Sequence, residues 1–261
     1  MGRMAADWVP DGAWLAPGYA EWPPPAALRG MVVCLWARVI GDDEAPGEGL
    51  VLPDACSDLI WEQGTGAYVA GPDTGPVRTV TRPGMVLAGV RFWPSAGGAA
   101  LGVPLSEIRD QHVGVADLLP DAARRLPAAL TPVAAAAGVV DVTGRLVVTG
   151  SPDRTVARAV ALLRDPSART AEVAAAAGLS ERQFRRRCHA AIGYGPKTLQ
   201  RVFRFQRFVR RIDASAGAPD PRPLDLAAAA AEAGYADQAH LTRECAALSG
   251  LTPAALARAR R

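Results

Sequence analysis

Between Leu199 and Ile212, apolar and arginine side chains alternate along one segment. Leu199, Val202, Phe205, Phe208 and Ile212 recur at i, i+3 or i+4, the spacing of a helix face that packs. Arg201, Arg204, Arg207, Arg210 and Arg211 occupy much of the rest. A guanidinium offers five donors in a rigid fork that fits phosphate or carboxylate, so this is the chemistry of binding rather than of bond making. The cysteines offer less. Cys34, Cys56, Cys188 and Cys245 are scattered, with no C-x-x-C pair and no histidine near Cys34 or Cys56. Neither a metal-bound cluster nor an activated thiolate is suggested. Cys188 and Cys245 fall on apolar helical stripes and read as small core residues, and the scatter suits a reducing, cytoplasmic setting.

The basic charge is unevenly placed. Residues 1–150 carry 10 Arg, no Lys and 16 acidic residues; residues 151–261 carry 19 basic and 10 acidic ones. One half is suited to a polyanion and the other to a different task. A solvated basic face satisfies the same count, so charge alone does not decide. The length of 261 residues suits two domains, expected at 1–150 and 151–261. No apolar run reaches 18 residues and the N-terminus lacks a signal-peptide core, so neither a membrane span nor export is expected.

The elements that would position the basic residues form a repeat. Ala174 to Leu199 and Ala230 to Leu256 carry one pattern twice, with Phe184 and Leu241, Cys188 and Cys245, Gly193 and Gly250, and Pro196 and Pro253 each 57 apart. Each copy reads as an Ala-rich helix, a glycine for a sharp turn (Gly178, Gly234), an N-cap, and a second helix. Ser180 opens a capping box with Gln183, and Asp237 caps the second copy. The second helix of each copy has one apolar stripe, leaving its other face for a partner. This is helix-turn-helix grammar, over about 171–192 and 224–249, and in its DNA-binding form the second helix enters the major groove. The arginine-bearing segment, expected as a helix over 198–212, joins the copies, and an amphipathic helix over 153–164 precedes them.

The first half reads differently. Residues 1–29, rich in Pro and Trp (Trp8, Trp14, Trp22), are expected to be an irregular arm. Apolar runs at 31–40, 50–53, 58–62, 67–70, 77–81 and 85–93, punctuated by Gly, Pro and Asp, predict an antiparallel sheet or small barrel. Short helices are expected at 97–101 and 104–109 and a longer one at 120–137. Residues 138–152, with R-L-V-V-T, are expected to be a linker with a β-like piece. The fold class is therefore α+β: a β-rich sheet or barrel with following helices, then an all-α domain of two helix-turn-helix motifs joined by a long helix.

Residues 153–261 resemble the DNA-binding domain of the AraC/XylS family of bacterial transcription regulators. The resemblance rests on the two copies, the connecting helix, the segment G-Y-A-D-Q-A-H-L-T-R-E and the closing G-L-T-P. Cys188, Cys245, Leu241 and Ala229 stand where the family has larger residues, which thins the core. The resemblance implies double-stranded DNA as partner, with both recognition helices in successive major-groove segments. By position it implies Arg182, Arg185 and Arg186 as contacts from the first helix, and Gln238, Ala239, Thr242 and Arg243 from the second. Arg pairs with guanine, Gln with adenine, and Ala with a thymine methyl. The alternative for the arginines, Arg187 included, is phosphate clamping that positions without specifying. Arg207 is expected to touch phosphate, and Glu244 to orient Arg243. RNA polymerase is a further partner of such regulators, and the chain would be a monomer or homodimer.

Leu52 to Trp61 and Gly89 to Asp110 resemble an uncharacterised domain that precedes this DNA-binding domain in many actinobacterial regulators. It names no ligand. All six tryptophans (8, 14, 22, 36, 61, 93) lie in this half. Aromatic concavities bind small apolar or cationic molecules, so Trp36, Trp61, Arg91 and Trp93 are candidates for an effector site; filling a sheet's core is the alternative. Arg91 with Asp54 and Asp58 is either ligand-binding or a structural ion pair. Three functions follow: an effector-controlled regulator, a regulator whose first half only dimerises or contacts protein, and a DNA-repair alkyl-transfer enzyme. The last lacks its cysteine cluster. No cofactor, metal or catalytic residue is expected.

Overall fold

The computed structural model describes residues 15–216 and 224–260. Trp8, Trp14 and most of the segment expected to follow the connecting helix lie outside the described residues.

Five of the six expected runs are strands, β2 (Val32–Val39), β4 (Ser57–Glu62), β5 (Gly66–Ala70), β6 (Val77–Thr81) and β7 (Val86–Phe92), and the run at 50–53 is one only in part, since β3 (Gly47–Val51) begins in the polar stretch before it and ends at Val51. Two more join them, β1 (Gly18–Trp22) and β8 (His112–Gly114). Six form an open antiparallel sheet in the order β1-β2-β7-β4-β5-β8, and β3 with β6 makes a separate ribbon. β1 lies inside the stretch expected to be an irregular arm. It is an edge strand, paired from Gly18↔Val39 to Trp22↔Leu35, and half exposed, so it shows no continuous apolar run.

Residues opposite each other in an antiparallel sheet share a face. Leu35, Leu59, Trp61, Val69, Val90 and Phe92 build the main core on one face. α4 (Pro132–Thr149) covers it, burying Ala135, Val139, Val140 and Val142. Its course corrects the helix expected at 120–137 and the linker at 138–152. In the first stretch Pro120–Ala123 (α3) is helical, the chain then leaves the helix ahead of Pro127, which cannot continue one, and only the last six residues are helical again. A new helix starts at Pro132, with Thr131 Oγ1 accepting from the Ala134 amide at 3.4 Å, and runs through R-L-V-V-T. The sheet supplies an apolar surface for those valines, and packing overrides their strand propensity. α4 is long and apolar enough to cross a membrane, at mean hydropathy 1.4; Val139, Val140 and Val142 are buried in the core under the sheet, while Val133 and Val148 are exposed. α1 (Gly97–Leu101) lies as expected; residues 104–109 hold one 3-10 turn (Leu105–Glu107), and α2 (Val115–Leu118) follows β8.

The rest is helical: α5 (Arg154–Leu162), α6 (Thr170–Ala176), α7 (Glu181–Ile192), α8 (Pro196–Ala216), α9 (Leu226–Ala233), α10 (Gln238–Ser249) and α11 (Pro253–Ala259). α5 is capped by Asp153, whose Oδ1 accepts from the amides of Thr155 and Val156. Gly178 and Gly234 hold left-handed φ of 68° and 86° at the turns of the two motifs. α8, of 21 residues, is about 32 Å long at ~1.5 Å per residue. Its first half packs on one core (Phe184, Cys188, Ile192 with Leu199, Val202, Phe203) and its second half on another (Leu241, Cys245, Leu248 with Phe205, Phe208, Ile212). Each buried phenylalanine contributes about 1.5–3 kcal/mol. Cys188 and Cys245 are fully buried, at equivalent places.

Candidate nucleic-acid interface

α7 begins at the capping box. The Gln183 amide donates to Ser180 Oγ at 3.3 Å, and the Ser180 amide donates to Gln183 Oε1 at 2.9 Å. With the helix start fixed, burial of Phe184, Cys188 and Ile192 determines what faces out. Arg182, Arg185 and Arg186 are exposed, and none holds an acidic partner among the described residues. Arg187 is turned aside, with Nη1 3.2 Å from Asp153 Oδ2.

α10 is built the same way. Asp237 Oδ1 accepts from the His240 amide at 2.6 Å, and Leu241, Cys245 and Leu248 are buried. Gln238, Ala239 and Arg243 are exposed; Thr242 is half-buried, its hydroxyl donating to Gln238 O at 2.9 Å. Glu244 does not orient Arg243. Its Oε2 accepts from Arg201 Nε at 2.7 Å and so ties α10 to α8.

The arginines of α8 are mostly turned onto the protein. Arg207, expected at phosphate, donates Nε to Ala233 O and Nη1 to Arg164 O, both at 2.9 Å, and joins α9 to the end of α5. Desolvation by burial lowers its pKa. Arg211 pairs with Glu232 at 2.9 Å, and Arg204 lies 5.9 Å from the Tyr235 ring centroid. No spacing rule announces that a backbone carbonyl will take up an arginine, so the segment's charge overstates its exposed basic surface.

The four aromatic and basic residues nominated in the first half separate into two places. Cys34, Arg91, Asp58, Ala70 and His112 form one cross-strand row on the sheet face opposite the main core, with Trp36, Gly89, Ile60 and Tyr68 in the next. Trp36 Nε1 donates to Asp58 Oδ1 at 2.6 Å, and Arg91 lies 3.3–3.4 Å from Glu21, Asp54 and Asp58. Burial is the main cause that pushes the Asp58 carboxyl up to about 6, against the pull of Arg91. Trp36 and Arg91 are thus together, and Asp54 and Asp58 are both ion-paired with Arg91. Trp61 is on the other face, fully buried, donating to Pro127 O at 3.1 Å. Trp93 is 39% exposed and donates to Arg29 O at 3.3 Å. Glu21 was missed because β1 was missed.

Two domain families match the chain. One, described as a helix-turn-helix domain, covers residues 173–259. Residues 173–259 are an AraC-type helix-turn-helix domain. The chain is accordingly a DNA-binding transcription regulator. The other match, residues 20–114, is a domain of unknown function, DUF6597. No curated protein matches the chain in sequence. Among solved structures, ToxT from Vibrio cholerae aligns with 82% of this chain and 98% of its own, at 8% identity and a TM-score of 0.42.

Proposed function

We propose that this regulator reads DNA with both recognition helices and is controlled by a small molecule held on the polar face of the N-terminal sheet. Residues 1–150 serve as the sensing and dimerising part, and residues 151–261 as the DNA-binding part. Arg182, Arg185 and Arg186 meet bases and phosphates of one major-groove segment, and Gln238, Ala239, Thr242 and Arg243 those of the next. The exposure of all of these but the half-buried Thr242, on two equivalent helices, supports this. Double-stranded promoter DNA is the partner, with RNA polymerase beside it, and the work is done in the cytoplasm.

The observation that carries effector control is the position of Asp54. Its Oδ2 lies 3.4 Å from Arg91, while its Oδ1 accepts from the Cys56 amide at 2.8 Å. The neighbouring Pro53 and Ala55 touch the DNA-binding half: Pro53 O accepts from Gln206 Nε2 at 2.6 Å, and Ala55 is buried in the first motif's core. A ligand that engages Trp36 and Arg91 therefore acts one residue away from the interdomain contact. A shift in population follows only if the ligand prefers one arrangement of that contact. Footprinting on the protein's own upstream region, with and without metabolites that raise its melting temperature, tests this. Protection of about two helical turns that changes with a stabilising metabolite is expected. Protection indifferent to every stabiliser rejects the effector.

The placement of Trp61 and Trp93 favours a second reading, in which the first half only dimerises or contacts protein, because both indoles serve the fold. Light scattering beside the metabolite screen separates the two. An alkyl-transfer enzyme has less support. Burial pushes the Cys34 and Cys188 thiols up to about 12 and raises those of Cys56 and Cys245, the opposite of an activated thiolate.

A further inference from the structure

The two recognition helices end at equivalent glycines, Gly193 and Gly250, with left-handed φ of 92° and 70°. One loop of the N-terminal domain, Pro72 to Pro76, lies against both. A β-carbon placed on Gly193 would lie 2.5 Å from Pro72 Cγ, and one on Gly250 3.8 Å from Pro76 Cγ. One on Gly75 would lie 4.0 Å from the carbonyl oxygen of Ala247, in the last turn of α10. Arg109 Nη1 adds a bond to Gly193 O at 3.4 Å. A second loop spans the two motif cores: Leu52 packs on the core containing Leu241, Ala55 is buried in the core containing Phe184, and Pro53 O between them accepts from Gln206 of α8. The ends at Arg182 and Gln238 are opposite these contacts and exposed.

We propose that the N-terminal domain is a bracket that sets the relative placement of the two recognition helices, with Pro72 and Pro76 as its positioning residues. This rests on the reading that both motifs bind DNA together. The motifs have separate cores on α8, and the direct ties that resist rotation of one about α8 include Arg201–Glu244, the Arg207 bonds and the approach of Pro166 to Gly234. A domain seated on both helix ends closes the triangle. It acts away from the reading residues, so its signature is tolerance of spacing rather than loss of one base contact.

The probe is a duplex enriched from random sequence by the wild-type full-length chain, compared with the same duplex carrying one extra base pair between the two protected segments. The wild type is expected to lose at least about tenfold in affinity on insertion. Pro72→Gly/Pro76→Gly, and independently Gln206→Ala, are expected to lose less than about threefold while melting near the wild type. Gln206→Ala keeps the experiment decisive if the double glycine variant does not fold. Wild-type discrimination retained in a folded variant overturns the bracket alone. A wild-type chain that enriches no sequence overturns the DNA reading and this inference with it.

Discussion

Arg201 and Glu244 tie α8 to α10 through an ion pair, Nε to Oε2 at 2.7 Å, and Glu244 is only 17% exposed. Removing the cation leaves a half-buried carboxylate without its ion-pair partner. Arg201→Ala is expected to cost about 1 kcal/mol, discounted because Arg201 itself is 40% exposed, or about 2–4 °C in Tm. The double variant Arg201→Ala/Glu244→Gln should recover most of it. Thermal melts of the full chain decide; an additive double variant means the pair is not coupled.

Arg186→Ala should weaken binding to a selected duplex by roughly 10-fold and flatten the preference at one base pair, the loss of one bidentate guanine contact at about 1–3 kcal/mol. Titration against the duplex and its single-base variants measures this. An even loss at all positions, with a smaller salt slope, would assign Arg186 to phosphate instead.

Arg207→Ala should behave as a stability variant. Its Nε and Nη1 are engaged by Ala233 O and Arg164 O, so Tm falls while the slope of log affinity against log salt stays at the wild-type value. A slope reduced by about 1 would place Arg207 on the DNA.

Asp73 sits in the loop that meets the recognition helices. Burial, and then the nearby Asp110, Asp54 and Asp58, push its carboxyl from 3.8 up to about 7. The folded chain thus holds this proton where the unfolded chain has lost it. Its contribution to stability falls as pH rises from about 4 to about 7. Asp73→Asn removes that penalty. We expect a gain of about 1 kcal/mol at pH 8, discounted for partial exposure, and none near pH 4. Melting curves at both values test the sign; an equal gain at both would trace the effect to something other than charge.

The C-terminal half was largely legible because its signals are local. Ser180 with Gln183, Asp237, and the stripes through Cys188 and Cys245 fix helix starts and buried faces within a few residues. The strands were visible as apolar runs, but their faces were not. Trp36 and Trp61 look alike in sequence; the register that sets Trp36 opposite Gly89 and Trp61 opposite Ala88 puts them on opposite sides of the sheet. β1 and the second half of α4 were misread for one reason. An edge strand needs only one neighbour, and a valine-rich helix needs a sheet to lie on, and neither neighbour is local. The bonds of Arg207 to Ala233 O and Arg164 O were not legible because those acceptors lie far from it in sequence.

The loop from Pro72 to Pro76 carries a consequence for how such a chain can change. The helix-turn-helix unit is present twice, but the surface that receives it is present once. Gly193 meets Pro72 and Gly250 meets Pro76 of the same short loop, so a lengthened turn in either copy displaces the seat of the other. Two units otherwise free to drift apart as independent readers are held to a common ruler, and a new operator spacing would have to arise in the N-terminal half of the chain.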